Sequence, residues 1–75
     1  MAKLPVLTAK ELIKLLKKIG FIEDRQTGSH LTLRRESDRK QVTVANHPSD
    51  TVPKGTLSRI LKEIGLSVEN LRKLK

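Results

Sequence analysis

His30 and His47 are the only histidines in a 75-residue chain that has no cysteine, tryptophan or tyrosine. An imidazole titrates near neutral pH, which suits it to move a proton as general base or acid. His30 follows Gly28 and Ser29 and opens the run HLTLRR, in which Leu31 and Leu33 alternate with His30, Thr32 and Arg34. In a strand, that alternation sets the histidine on a polar face with Thr32 and Arg34. Arg34 on the same face is a candidate to hold a phosphate beside the imidazole. Position alone does not demand chemistry, because a strand histidine that merely faces solvent gives the same pattern. For His47, in a proline-bearing segment, a loop histidine without a task is the simpler reading.

Other kinds of site are poorly supplied. The two histidines lack the paired spacing of a zinc site, and no thiolate supports them. The carboxylates are scattered over turns and charged faces, so no two-metal nuclease centre is expected and no metal or other cofactor is implied. Gly20-Phe21-Ile22-Glu23 does not resemble a phosphate-cradling loop, and neither a Walker signature nor a KH-type clamp is present.

Sixteen Lys and Arg against eight Asp and Glu leave a formal charge of +8. Such a balance draws polyanions, with nucleic acid the leading partner. Ordinary solubility charge is the plainer account, and an anionic membrane surface a weaker third. Phe21 is the one aromatic residue, so bases cannot be stacked on an aromatic platform. Contacts to phosphates and sugars, as in shape recognition of double-stranded RNA, are expected instead. No run approaches a membrane span and no signal peptide is apparent, so a cytoplasmic protein without membrane contact is expected.

The elements that must position these residues follow from periodicity. Thr8 and Glu11 have the spacing of a capping box. Leu12, Ile13, Leu15, Leu16 and Ile19 then recur at helical period, which predicts a helix over residues 9–18 closed by a left-handed Gly20 with Phe21 folding back. Lys10, Lys14, Lys17 and Lys18 form its other face. A solvated face is the simpler reading for any one lysine, and a phosphate-contacting stripe is the functional one. Phe21–Gln26, His30–Arg35 and Gln41–Ala45 read as three strands of an antiparallel meander, turned at Thr27-Gly28-Ser29 and at Glu36–Lys40. Asn46–Lys54, marked by Pro48 and Pro53, reads as a loop.

Leu57, Ile60, Leu61 and Ile64 make a second helical face ended by Gly65, with a cap expected from Thr56 or the residues just before it. That helix start, Lys54-Gly55-Thr56, aims free amides and a positive dipole end at any anion. Ser67 caps a last short turn carrying Val68, Leu71 and Leu74, and Arg72, Lys73 and Lys75 are expected to fray. The whole is one domain over 1–75, with a leader over 1–7, a core over 8–66 and a helical tail over 67–75. The fold class is an α+β two-layer domain, helix, three-stranded antiparallel sheet, helix, plus a short C-terminal helical segment. This is the element order of the double-stranded RNA-binding fold.

Thr27-Gly28-Ser29-His30, after a helix that exits through Ile-Gly-Phe, resembles the Gly-Ser-His element of HicA toxins. Val52-Pro53-Lys54-Gly55-Thr56-Leu57 is similar to the Lys-Gly-Thr-Leu helix start of the same family, and His47 with its proline loop is similar to the loop before it. The resemblance runs from about residue 8 to 66. It implies a double-stranded RNA-binding-like fold, an mRNA-cleaving toxin of a toxin–antitoxin system, and inhibition by a HicB antitoxin. It also implies that the strand histidine, here His30, is the catalytic residue.

A mechanism can be sketched on that footing. His30 would deprotonate a ribose 2′-hydroxyl that attacks the adjacent phosphate, with no metal required. Ser29, Arg34, Lys54, Gly55, Thr56, Lys14 and Lys17 would contact RNA, Lys54 being first in line to stabilise the growing charge. The general acid stays open. A non-catalytic double-stranded RNA-binding module is the alternative, since fold alone never fixes function. A DNA-binding or protein-interaction domain comes third, because no helix-turn-helix spacing is present.

Overall fold

Local capping decides where the first helix begins and ends. A computed structural model describes residues 4–45, His47 and residues 49–74. The first three residues of the expected leader, Asn46 and Pro48 of the expected loop, and Lys75 therefore lie outside the described residues. Helix α1 spans Ala9–Lys18. Thr8 Oγ1 accepts from the Glu11 amide at 3.2 Å while Glu11 Oε1 accepts from the Thr8 amide at 2.9 Å, the expected capping box. At the other end the Phe21 amide donates to the Leu16 carbonyl and the Gly20 amide to that of Lys17, with Gly20 at φ 102°. That paired closure needs the left-handed glycine. It also turns Phe21 into the core, where it is 1 % exposed, so the first strand starts one residue later than the apolar pattern suggests.

Strands β1 (Ile22–Thr27), β2 (His30–Arg35) and β3 (Lys40–Ala45) form an antiparallel sheet in that order. Gly28 sits at φ 58° and Ser29 at negative φ, the two-residue hairpin turn with glycine first. Leu31 and Leu33 pair with Val44 and Val42, and all four are buried on one face. Helices α1 and α2 (Lys54–Ile64) cover that face with Leu12, Leu15, Leu16, Leu57, Ile60, Leu61 and Ile64. Helix α3 (Val68–Leu74) adds Leu71. Ser67 Oγ accepts from the Asn70 amide, as its capping role requires, and Arg72 and Lys73 are helical residues of α3. No polar side chain is buried among the described residues. The architecture is the expected two-layer α+β domain.

The leader is where the structure departs from the pattern. Leu7 is fully buried, and its carbonyl accepts from the Val52 amide at 2.8 Å. Ala9 in turn donates to the Asp50 carbonyl. Leu7 and Leu12 stand just outside and one turn inside the Thr8 cap, the positions of a hydrophobic staple, and both belong to the core.

Arg35 ties the far end of the sheet to α1. Its Nε and Nη2 donate to the two carboxylate oxygens of Asp38 at 3.0 and 2.6 Å, and Nη1 donates to the Ile19 carbonyl at 3.2 Å. Its guanidinium carbon lies 4.7 Å from the centre of the Phe21 ring. Asp38 also accepts from the Lys40 amide, fixing the turn. The Arg35 hydrogen bond holds the Asp38 carboxyl below its ordinary value of 3.8.

A depressed carboxylate contributes stability that is complete above the unfolded titration and disappears as pH falls through the folded one. Asp38→Asn should therefore lower the melting temperature at pH 7, and its deficit against the natural chain should close as melts are repeated down to pH 2. Arg35→Lys should be destabilising at pH 7 as well, because an ammonium cannot supply the fork.

Candidate active site and nucleic-acid interface

Strand register gathers one group of residues at one end of the molecule. His30 pairs with Thr27 on one side and Ala45 on the other. The Gly28–Ser29 turn, the first residue of β2 and the last of β3 therefore lie together. His30 is exposed and Ser29 partly so. Thr32 and Arg34 continue the same outer face, with Thr32 Oγ1 3.2 Å from Thr43 Oγ1. Alternation thus places His30 as expected, with Leu31 and Leu33 inward and the imidazole outward.

The chain beyond β3 returns to the same end. The His47 amide donates to the Ala45 carbonyl and the Asp50 amide to that of His47, and Pro53 then precedes α2 as its cap residue. Pro53 stands at φ −57° and offers no side-chain cap. The expected cap from Thr56 or its predecessors is absent, because the fixed ring angle of proline starts this helix instead. The first intrahelical bond runs from the Leu57 amide to the Pro53 carbonyl at 2.9 Å. The amides of Lys54, Gly55 and Thr56 come before it, and no acidic residue occupies the first turn. Together with the side chain of Lys54 they make a positive helix end.

A cleft of about 320 Å³ is lined by Ala45 and His47 from the sheet end, Pro53 just before α2, Thr56 in its first turn, and Ala9 from α1. Sequence reasoning missed it, since its walls are small or apolar residues with no chemical signature of their own.

The other expected contacts lie elsewhere. Arg34 shares the face of His30 but stands four residues along β2, about 13 Å away at the usual strand rise. Its Nη2 is 2.6 Å from Glu36 Oε1. That bond, then the charges of Glu36 and Asp24, hold its guanidinium above its ordinary pKa. Lys17, near the C-terminal end of α1, is paired with Glu23 of β1. Lys14 is exposed midway along α1, beside a shallow hollow shared with Leu7, Lys18 and Leu74. The register sets His30 and Ser29 beside Ala45, and Ala45 shares the cleft with Thr56 of the α2 start, while Arg34 and Lys17 are paired with Glu36 and Glu23 instead. Among the described residues, no three His, Asp or Glu side chains gather as a metal site, and no helix is long and apolar enough to cross a membrane.

A family model described as the HicA toxin of bacterial toxin–antitoxin systems matches residues 9–66. No curated protein gives a match. The matched span contains α1, the whole sheet, the cleft and α2.

Gly55 and Gly20 place opposite demands on the backbone. It has no positive φ, and a Cβ built on it meets nothing within 4 Å, so the fold itself does not require glycine there. Gly55→Ala should raise stability by up to about 1 kcal/mol, the helical preference of alanine over glycine. Gly20→Ala should do the reverse, because Gly20 is left-handed and its Cβ would lie 3.3 Å from Arg35 Cδ. Thermal melts of the two variants check the contrast.

Proposed function

This chain belongs to the HicA toxin family of bacterial toxin–antitoxin systems, and from that premise we propose that it is an endoribonuclease acting on mRNA, with His30 its catalytic residue. The observation that carries the proposal is that Ala45, the strand partner of His30, shares a cleft with Thr56 of the uncapped, cationic start of α2. In the reaction His30 takes the proton of a ribose 2′-hydroxyl, and that oxygen attacks the adjacent phosphorus. The 5′-oxygen of the next nucleotide then leaves with a proton, giving a 2′,3′-cyclic phosphate and a 5′-hydroxyl. Lys54 and the amides of Gly55 and Thr56 stabilise the negative charge that builds on the phosphoryl oxygens. Ser29 contacts the backbone beside His30.

His47, at the same end, is the nearest imidazole in sequence position to serve the leaving group. Lys14 and Lys17 act as outlying phosphate contacts, and Arg34 does so by exchanging Glu36 for a phosphate. The chemistry needs no metal. The partner within the toxin–antitoxin pair is a HicB-type antitoxin that blocks this end, and the site of action is the cytoplasm, where mRNA is found.

Purified protein and its His30→Ala variant, incubated with mRNA in excess chelator, decide the matter. The natural chain should cut in chelator, and the variant should be slower by about 10²–10⁴-fold, the usual worth of a general base, with an unchanged melting curve. Equal cutting by the variant rejects His30, loss of cutting in chelator rejects the metal-free route, and RNA binding without any cutting marks a binding module instead. Gly55→Ala should cut more slowly than the natural chain despite its greater stability, because the added methyl crowds the amides that approach the phosphate.

A further inference from the structure

We propose that the cleft reached from Ala45, the strand partner of His30, receives the base of the nucleotide whose phosphodiester is cut, and that it prefers bases bearing an exocyclic amine. The proposal rests on the ribonuclease reading above. Attack by a 2′-oxygen requires that oxygen, the phosphorus and the leaving 5′-oxygen to fall in line, an arrangement a stacked A-form helix does not present. The reacting nucleotide must turn out of its stack, and its base then needs a place of its own. The chain has no aromatic surface to provide one, since Phe21 is its sole aromatic residue and is 1 % exposed.

The cleft supplies an aliphatic alternative. It begins at Ala45, the strand partner directly across from His30. Val52 and Pro53 form apolar walls. The volume of about 320 Å³ lies at the lower end of small-ligand pockets, enough for a base. Asp50 and Thr56 supply polar groups at its edge. An ionised carboxylate only accepts hydrogen bonds, so Asp50 matches the amino group of cytosine, adenine or guanine better than the carbonyl-rich edge of uracil. The pocket is preformed: the Ala9 amide bonds the Asp50 carbonyl at 2.9 Å and the Val52 amide that of Leu7 at 2.8 Å, so little ordering is required when a base enters.

The test uses the full chain carrying His30→Ala, which binds without turnover. The four nucleoside 3′-monophosphates, and ribose 5-phosphate as a baseless control, are titrated while the methyl resonances of Ala9, Ala45 and Val52 are followed by NMR. Those methyls should shift with the cytidine, adenosine and guanosine nucleotides, bind uridine about tenfold more weakly, and ignore ribose phosphate. Asp50→Asn should narrow the uridine difference without unfolding the chain. In parallel, an abasic residue at a mapped cleavage position should slow cutting by the natural chain about tenfold or more. Methyls that stay still with all four nucleotides, or that move equally with ribose phosphate, overturn the proposal. An abasic substrate cut at the full rate overturns it too, while leaving the ribonuclease reading intact. Failure of that reading shows separately, as intact RNA after incubation with the natural chain.

Discussion

A single apolar layer, closed between two helices and one face of a three-stranded sheet, is the constraint on which everything else in this domain depends. A chain of 75 residues has too little volume for a second layer. Every buried side chain among the described residues is apolar. Any group that is to do chemistry must therefore stand on the outer sheet face or at an end of the elements. Its position is set by the residues behind it. Leu31 and Leu33 point inward against α1 and α2, and so His30 points outward. A slip of one residue in the register of β2 would reverse both.

Much of this was legible in the sequence because the signals are local. Thr8 and Glu11 are three residues apart and cap α1 as their spacing implies. Gly20 and Phe21 close it as a pair, and Leu31, Leu33, Val42 and Val44 alternate with the period of a half-buried strand. Three features stayed hidden because their partners come from distant parts of the chain. Leu7 looked like part of a leader and is core, since its backbone is held by Val52. Arg35 gave no signal, yet it joins Ile19, Phe21 and Asp38. Arg34 and Lys17 read as free cations, while Glu36 and Glu23 hold them. The site was legible in the same measure: His30 and Lys54-Gly55-Thr56 announced themselves as residue types in a pattern, whereas a cleft walled by Ala, Val and Pro has no such pattern to announce.

The ion pairs also divide the molecule into two ends with different work. Lys17–Glu23, Arg34–Glu36 and Arg35–Asp38 lie at the closed end, where α1 leads into β1 and β2 turns into β3. Lys40 Nζ donates there to the Glu63 carbonyl in the last turn of α2 at 2.8 Å. That cation, with Lys62 in the same turn, neutralises the negative end of the α2 dipole. At the opposite end the first turn of α2 carries no acid and no side-chain cap, so the positive end of the same dipole stands open on the cleft that Thr56 shares with Ala45. Glu11 is occupied in capping Thr8 there, which leaves Asp50 as the acidic group on the cleft. The excess of eight positive charges supplies a long-range field of one sign around the whole chain. A polyanion drawn in by that field meets an open helix start across the cleft from Ala45, and Ala45 is one strand pairing from His30.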